Sequence, residues 1–337
     1  MNVNLNRRRI LQVAGVLTLS PLLTKWSRAE IPALTGTTMG TRYKVHIHRA
    51  PDGFYLPKLK QHIEQVFATT ESLMSTYRSD SELSLFNAST STDWQLISTD
   101  TARIVETALK VQEQSGSAFN PATGSLVDYW GFGARPKPIP EVFMPPPPQI
   151  LDSVKNANIE LESGRLRKSH SQATLDLNAI AKGDAIDGVA AVLERNQISN
   201  YLIEIGGEIY ARGSGPEGAG WRVGLEDPAT DILATIQLDE KALATSGDYV
   251  NYFMQNGIRY SHVIDPRVGR PIDHHIALVS VVAGSAMQAD AWATALLVMG
   301  LEQGFRHALQ HAMAALFLQR DGEEYRPFLT PAFEQLV

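Results

Sequence analysis

Apolar and polar residues alternate with a period of two from Arg42 to His48 (RYKVHIH), which predicts a strand with one face on a core. From Leu56 to Ser75 the period lengthens to that of an amphipathic helix, and the segment runs on through MSTYRSDSELSLFN. Asp100–Ser115 predicts a second helix, opened by Ser98-Thr99-Asp100. A strand around Ala173–Leu177 and a helix from about Ala181 to Arg195 follow, then paired strands at Tyr201–Ile205 and Glu208–Gly213. Trp221–Leu225, Ile232–Leu238 and Ile276–Ala283 read as further strands. The mixture predicts an α+β chain with mainly antiparallel sheets and packed helices.

The last of these strands leads into SAMQADAWATALLVMG, residues 285–300, which is apolar almost all the way round and so predicts a buried helix. Ser285 followed by Gln288 fits a capping box, and Gly300 stands where a helix is commonly released. In that frame Asp290 and Thr294 are i and i+4 on one face of the interior. A buried carboxylate is costly unless it is paired, hydrogen-bonded or bound to a metal. The stretch alone leaves a second reading open, with Asp290 as the N-cap and Thr294 bonded to a backbone carbonyl.

Composition narrows the classes. The 337 residues are 44% apolar and 20% charged, with a net charge of −6, so no electrostatic feature calls for a nucleic-acid partner. There is no cysteine, which excludes disulfides, thiol catalysis, zinc-thiolate and iron–sulfur sites and an acylated cysteine anchor. Residues 1–29 read as a signal peptide: a basic start, an apolar stretch from Ile10 to Thr24 and a small-x-small site at Ser27-Arg28-Ala29. Arg7-Arg8-Arg9-Ile10-Leu11 is similar to the twin-arginine export motif, which predicts a periplasmic protein that crosses the membrane folded. Residues 30–337 then form the mature domain, with a Pro-rich insertion at about 136–148 expected to be an extended spacer.

Several stretches carry candidate chemistry. Phe119-Asn120-Pro121-Ala122-Thr123-Gly124 and Ile264-Asp265-Pro266-Arg267-Val268-Gly269 share the pattern apolar-[Asn/Asp]-Pro-x-x-Gly. Each predicts a tight turn with Gly at positive φ, and the echo is either shared turn grammar or a duplication that sets two equivalent loops around one site. Gly213–Gly218 matches G-x-G-x-x-G, but a strand follows it, so it reads as a hairpin loop. His274-His275 reads as a solvated turn. Thr174–Gly188 clusters Asp176, Asn178 and Lys182 at a strand-to-helix junction, a place suited to anions or simply a solvated helix start. His262 lies on a strand before a basic turn, and Ser117–Gly133 is rich in aromatics and glycine, suited to a flat ring system or to packing.

Taken together, these stretches resemble the ApbE family, the FAD:protein FMN transferases. The resemblance runs in order through Met39-Gly40-Thr41, Met74–Tyr77, Ser81–Ser84, Leu126–Gly133, Asp176–Gly183, Gly206-Gly207-Glu208, Thr245-Ser246-Gly247, Ser261–Gly269 and Ala289–Thr294. It implies a T-fold-related, duplicated α+β fold that binds FAD and Mg²⁺, transfers FMN to a threonine hydroxyl of a partner protein and releases AMP. The partner implied is a flavin-carrying subunit of a membrane redox complex. The resemblance gives Asp290 and Thr294, with Ala179 and Ala293, to the metal. It gives Met39, Tyr77, Ala118, Phe119, Asn120, Asp176, Lys182 and Ile264 to FAD, and catalysis to His262 and Asp290. The chain departs from the family pattern at Asp184, where an aromatic residue is common, at Asn120 and at Asn178. A twin-arginine signal is similar to that of a subgroup linked to nitrous-oxide reductase maturation. The same metal site would also suit an FAD hydrolase giving FMN and AMP, and the same pocket a non-catalytic FAD carrier.

Overall fold

The computed structural model describes residues 33–51, 55–134, 145–228, 232–322 and 324–337. The proposed signal peptide therefore lies outside the described residues, as does most of the Pro-rich stretch. The end of that stretch is described, and it is not extended throughout: Pro148 opens the helix Pro148–Lys155, a first-turn position where the missing N–H of proline costs nothing.

Eight strands form one antiparallel sheet whose spatial order repeats the chain order: Leu34–Thr38, Thr41–Arg49, Asn200–Ile205, Glu208–Arg212, Lys241–Gly247, Ile276–Ala283, Ala314–Asp321 and Glu324–Leu329. One face meets the helices Leu56–Met74, Asn178–Arg195 and Ala286–Gln310 through Val45, Ile203, Ala244, Val279 and Phe317. The other face packs Leu243, Leu278 and Leu318 against the hairpin Trp221–Glu226/Ile232–Leu238 and against Phe333. Ile276–Ala283 is covered on both faces, which is why it reads as an unbroken apolar run rather than an alternation.

The helix Ala286–Gln310 is apolar around its circumference because it is packed on two sides. Ala289, Ala293, Leu296 and Leu297 face the sheet, while Met287, Ala291 and Ala295 face a second core built on Ile104, Ala108, Leu175 and Leu177. Ser285 caps it as the sequence predicts, accepting from Gln288 N at 3.2 Å. A second cap comes from the neighbouring helix: the Asp187 carboxylate accepts from Ala286 N at 2.8 Å and from Met287 N at 3.0 Å. At Gly300 the backbone leaves helical geometry (φ 71°, ψ −175°), and a further helical segment continues to Gln310.

Three expectations need correction. The helix predicted from about Ala181 begins at Asn178, one turn earlier. Ala173–Leu177 makes only an isolated parallel bridge, Thr174 beside Thr123, and is no ladder strand: Asn87 brackets Leu175 with its amide (2.7 and 2.8 Å), and Asp176 N donates to Pro121 O at 2.7 Å. Those partners replace a neighbouring strand. His274 is not solvated, because its Nε2–H donates to Leu297 O at 2.8 Å and its ring fills the space beside Gly300.

Candidate functional site

A cavity of about 940 Å³ opens at the edge between the helices and the sheet. That is at the upper end of the roughly 300–1,000 Å³ typical of small-molecule sites. Two neighbouring hairpin turns supply part of the wall. Met39 and Gly40 (φ 46° and 73°) close one, Gly206 and Gly207 (φ 60° and 102°) the other, both central residues at positive φ as tight hairpins require. The first turn is pinned by Glu71, whose Oε1 accepts from Met39 N at 2.7 Å and Thr38 Oγ1 at 3.1 Å.

The two Asn/Asp-Pro loops face the same cavity. Asn120 Oδ1 accepts from Ala122 N at 2.8 Å, and Asp265 Oδ1 from Arg267 N at 2.9 Å, the same side-chain turn in each. Gly269 has the expected positive φ of 73°, but Gly124 does not. Gly124 opens a short helix instead, and a Cβ there would lie 2.8 Å from Thr174 Oγ1. Asp176 makes a third such turn, accepting from Asn178 N at 2.8 Å as the helix Asn178–Arg195 starts.

The polar end of the cavity is built where two helices cross. Gly183 lets them approach: a Cβ on it would come within 2.3 Å of Ala286 O. Its amide, which an α-helix directs at the carbonyl four residues back, here Ala179, also reaches Asp290 Oδ2 at 3.1 Å. Asp290 is 3% and Glu208 4% exposed, and Lys182 stands between them, 3.8 Å from Asp290 Oδ1 and 3.5 Å from Glu208 Oε1. Thr294 Oγ1 lies 2.9 Å from Ser246 Oγ. Glu208 Oε2 is buried without a hydrogen-bond partner.

Burial pushes the Asp290 carboxyl above the usual carboxylate range, with Lys182 and the Gly183 amide acting the other way. Burial likewise raises Glu208, to about 8, against the pull of Lys182. Lys182 feels the reverse: burial disfavours its ammonium, but Asp290 and Glu208 together outweigh that and hold its pKa above the usual value. Two buried carboxylates thus share one ammonium, a balance that a divalent cation or a bound phosphate would change.

Phe132 lines the cavity beside His262 and heads a row of stacked rings behind it. Trp130 stacks on Tyr260 (5.8 Å), Tyr260 on Phe253 (5.2 Å) and Phe253 on Phe132 (5.4 Å), and Phe132 meets the His262 ring edge-on at 6.2 Å. Trp130 is locked by its Nε1–H, which donates to Gly269 O at 2.9 Å. His262 Nδ1 lies 2.9 Å from Asn251 O, a carbonyl that can only accept, which assigns the proton to Nδ1 and leaves Nε2 as an acceptor. Burial lowers the His262 pKa, partly offset by that hydrogen bond, so the ring is neutral at neutral pH.

Met39, Tyr77, Ala118, Phe119, Asn120, Asp176, Ala179, Lys182, His262, Ile264, Asp290 and Thr294 all line this cavity. Ala293 does not; it is fully buried against the sheet. Asp184 points away from the cavity and pairs with Arg103 at 2.7 Å, so the family departure there does not touch the wall. Sequence reasoning assigned no role to Glu71, Ser246, Asn251 or Glu208. Glu71 was readable as a carboxylate next to the buried stripe Ile63, Phe67, Thr70, Met74, whereas the burial of Glu208 emerges only with the sheet. Among the described residues no three His, Asp or Glu side chains gather as a metal cage.

With this geometry in place, comparison with known proteins is informative. Residues 39–317 match the model of the ApbE family. The chain belongs to that family. An FAD:protein FMN transferase of Vibrio cholerae serotype O1 is 37% identical over 314 residues, covering 92% of this chain and 93% of the relative. The FAD:protein FMN transferase of Escherichia coli K12 is 32% identical, covering 94% and 92%. Among solved structures, the flavin transferase ApbE from Vibrio cholerae superposes with a TM-score of 0.82 at 34% identity, covering 90% of this chain and 98% of that one. The apo form of the Pseudomonas stutzeri flavinyl transferase ApbE also gives 0.82 at 34%, covering 90% and 96%. The α+β fold is that of the ApbE structures, and the chain is a transferase.

Proposed function

We propose that this ApbE-family chain moves the FMN moiety of FAD onto a threonine hydroxyl of a redox protein in a Mg²⁺-dependent reaction, releasing AMP. The observation that carries the reading is one cavity lined both by aromatic side chains, Phe119 and Phe132 among them, and by the Lys182–Asp290–Glu208 cluster, as a flavin diphosphate demands. The unpartnered Glu208 oxygen and the two carboxylates set against one lysine fit a site that gains a divalent cation with its substrate. Asp290, Thr294 and the Ala179 carbonyl would hold that cation. When bound, Mg²⁺ supplies Lewis-acid neutralisation of the diphosphate and of the departing AMP.

The protein's own residues do the rest. Lys182 offers positive charge to the phosphates, and the amide ends of the Asn178–Arg195 helix lie beside it. His262 Nε2 accepts the proton of the acceptor threonine as its oxygen attacks the FMN phosphorus; the bond from that phosphorus to the AMP oxygen breaks, and AMP leaves. Asn251 O fixes the tautomer this requires. The basic, apolar and small-residue pattern of residues 1–29 supports a periplasmic site of action, with a flavin-carrying subunit of a membrane redox complex as acceptor.

The test is incubation of purified protein with FAD, Mg²⁺ and a recombinant threonine-bearing flavin domain of such a complex. Covalent fluorescent FMN on the domain, with one AMP released per FMN, is the expected result. Free FMN and AMP formed without acceptor would make the chain a hydrolase, and FAD recovered intact would make it a carrier.

A further inference from the structure

The chain between Lys241–Gly247 and Ile276–Ala283 leaves the main sheet and forms a small hairpin, Tyr252–Gln255 paired with Ile258–Ser261. Its inward residues Phe253 and Tyr260 stack behind Phe132, which lines the cavity. The outward face carries Tyr252, 45% exposed, and Met254, 58% exposed. Ile258, paired with Gln255 at the tip and so on the face of Phe253 and Tyr260, is still 56% exposed beyond them. Val250 precedes the hairpin at 79%, and Val268 follows on the second Asn/Asp-Pro loop at 56%.

This surface is poor in charge. Residues 250–262, VNYFMQNGIRYSH, contain one arginine and no lysine or carboxylate. That arginine, Arg259, is folded away, its guanidinium 4.0 Å over the Tyr252 ring and donating to Asp248 O at 2.6 Å. An exposed apolar patch stripped of charge has the composition of an interface core. It is also continuous with the reaction site, because Val250, Asn251 and His262 line the cavity at the foot of the hairpin.

We propose that the outer face of this hairpin, with Val250 and Val268, is the docking surface for the protein acceptor. The proposal rests on the transferase reading above. A nucleotide is enclosed by the cavity and gains nothing from an apolar apron beyond its mouth. A protein substrate must be gripped outside while one side chain reaches in. The occupant is therefore an extended acceptor segment with apolar side chains flanking its hydroxyl residue, laid along Tyr252 and Met254 and over the hairpin tip at Ile258.

Met254→Asp and Ile258→Asp, singly and together, test this, since neither residue lines the cavity and both are exposed. FAD affinity, read by flavin fluorescence, stays within twofold of wild type, while KM for the recombinant acceptor domain rises at least tenfold with kcat retained. The milder Met254→Ser shifts KM in the same direction by a smaller factor. An unchanged KM in the double variant overturns the docking surface alone, and loss of FAD affinity overturns it too by assigning the hairpin to the nucleotide. So does a wild-type dimer in sedimentation, or binding to anionic vesicles, that the double variant loses while labelling normally. Wild-type protein that labels no acceptor overturns the transferase reading and the docking surface together.

Discussion

Asp290 and Glu208 meet over a single lysine, and the chemistry of the site follows from how that charge is balanced. Asp290→Ala removes the only carboxylate given to the cation and leaves Lys182 with one partner. Metal-dependent FMN transfer falls by ~10²-fold or more, the scale at which one positioned electrostatic group acts, and steady-state rates across a Mg²⁺ titration read it. A variant with wild-type Mg²⁺ dependence would refute the assignment. His262 makes a prediction in pH. Its lowered pKa keeps the ring neutral above that value, so kcat/KM is full at neutral pH and declines only as pH falls through a point below the ordinary 6.5. In His262→Gln that acid limb disappears from the pH–rate profile. At this scale the sequence was informative about Asp290 and Thr294, because a carboxylate and a hydroxyl on an otherwise apolar helix stand out. It placed Glu208 and Ser246 within family-like motifs but gave them no role, because each looks like an ordinary strand-end residue until neighbouring elements close around it.

The element that does most to build the site is the crossing of Asn178–Arg195 with Ala286–Gln310. Gly183 sits at the closest approach, so Gly183→Ala drives a methyl group into the Ala286 carbonyl. Overpacking of that kind costs about 1–3 kcal/mol, and the shifted helices also take Lys182 away from Asp290. Chemical denaturation should show the stability loss, and flavin fluorescence a weaker FAD affinity; retention of both would mean the crossing relaxes freely. The capping of the second helix was legible at Ser285 but not at Asp187, whose contribution crosses 99 residues of sequence. The same limit explains Ala173–Leu177. Its apolar alternation is real, since Leu175 and Leu177 are buried, but strand pairing depends on a neighbour, and those at hand are the turn around Pro121–Gly124 and an asparagine side chain.

Across the whole molecule, buried acids whose pKa values rise on folding set how stability depends on pH. Asp187 goes from 3.8 to about 6 and Glu208 from 4.5 to about 8, burial being the main cause for both. An acid raised in this way stabilises the fold while protonated, and the contribution is lost as pH climbs through the folded value. The half-buried histidines His46, His262, His274 and His307, whose pKa values burial lowers from 6.5, act in the opposite sense at lower pH, so the acids' signature is cleanest above that value. Metal-free protein should therefore melt at a lower temperature near pH 8 than near pH 7, and Glu208→Gln should flatten that slope. A melting temperature that rises over this window would contradict the burial argument. The sheet order, in which every strand lies beside its predecessor in sequence, has a further consequence for the timing of synthesis. Six of the sheet's eight strands precede the helix bearing Asp290 and Thr294 in the chain. Sheet assembly and the gain of the ionic cluster are therefore separate events in the order of synthesis, the first well advanced before the residues of the second exist.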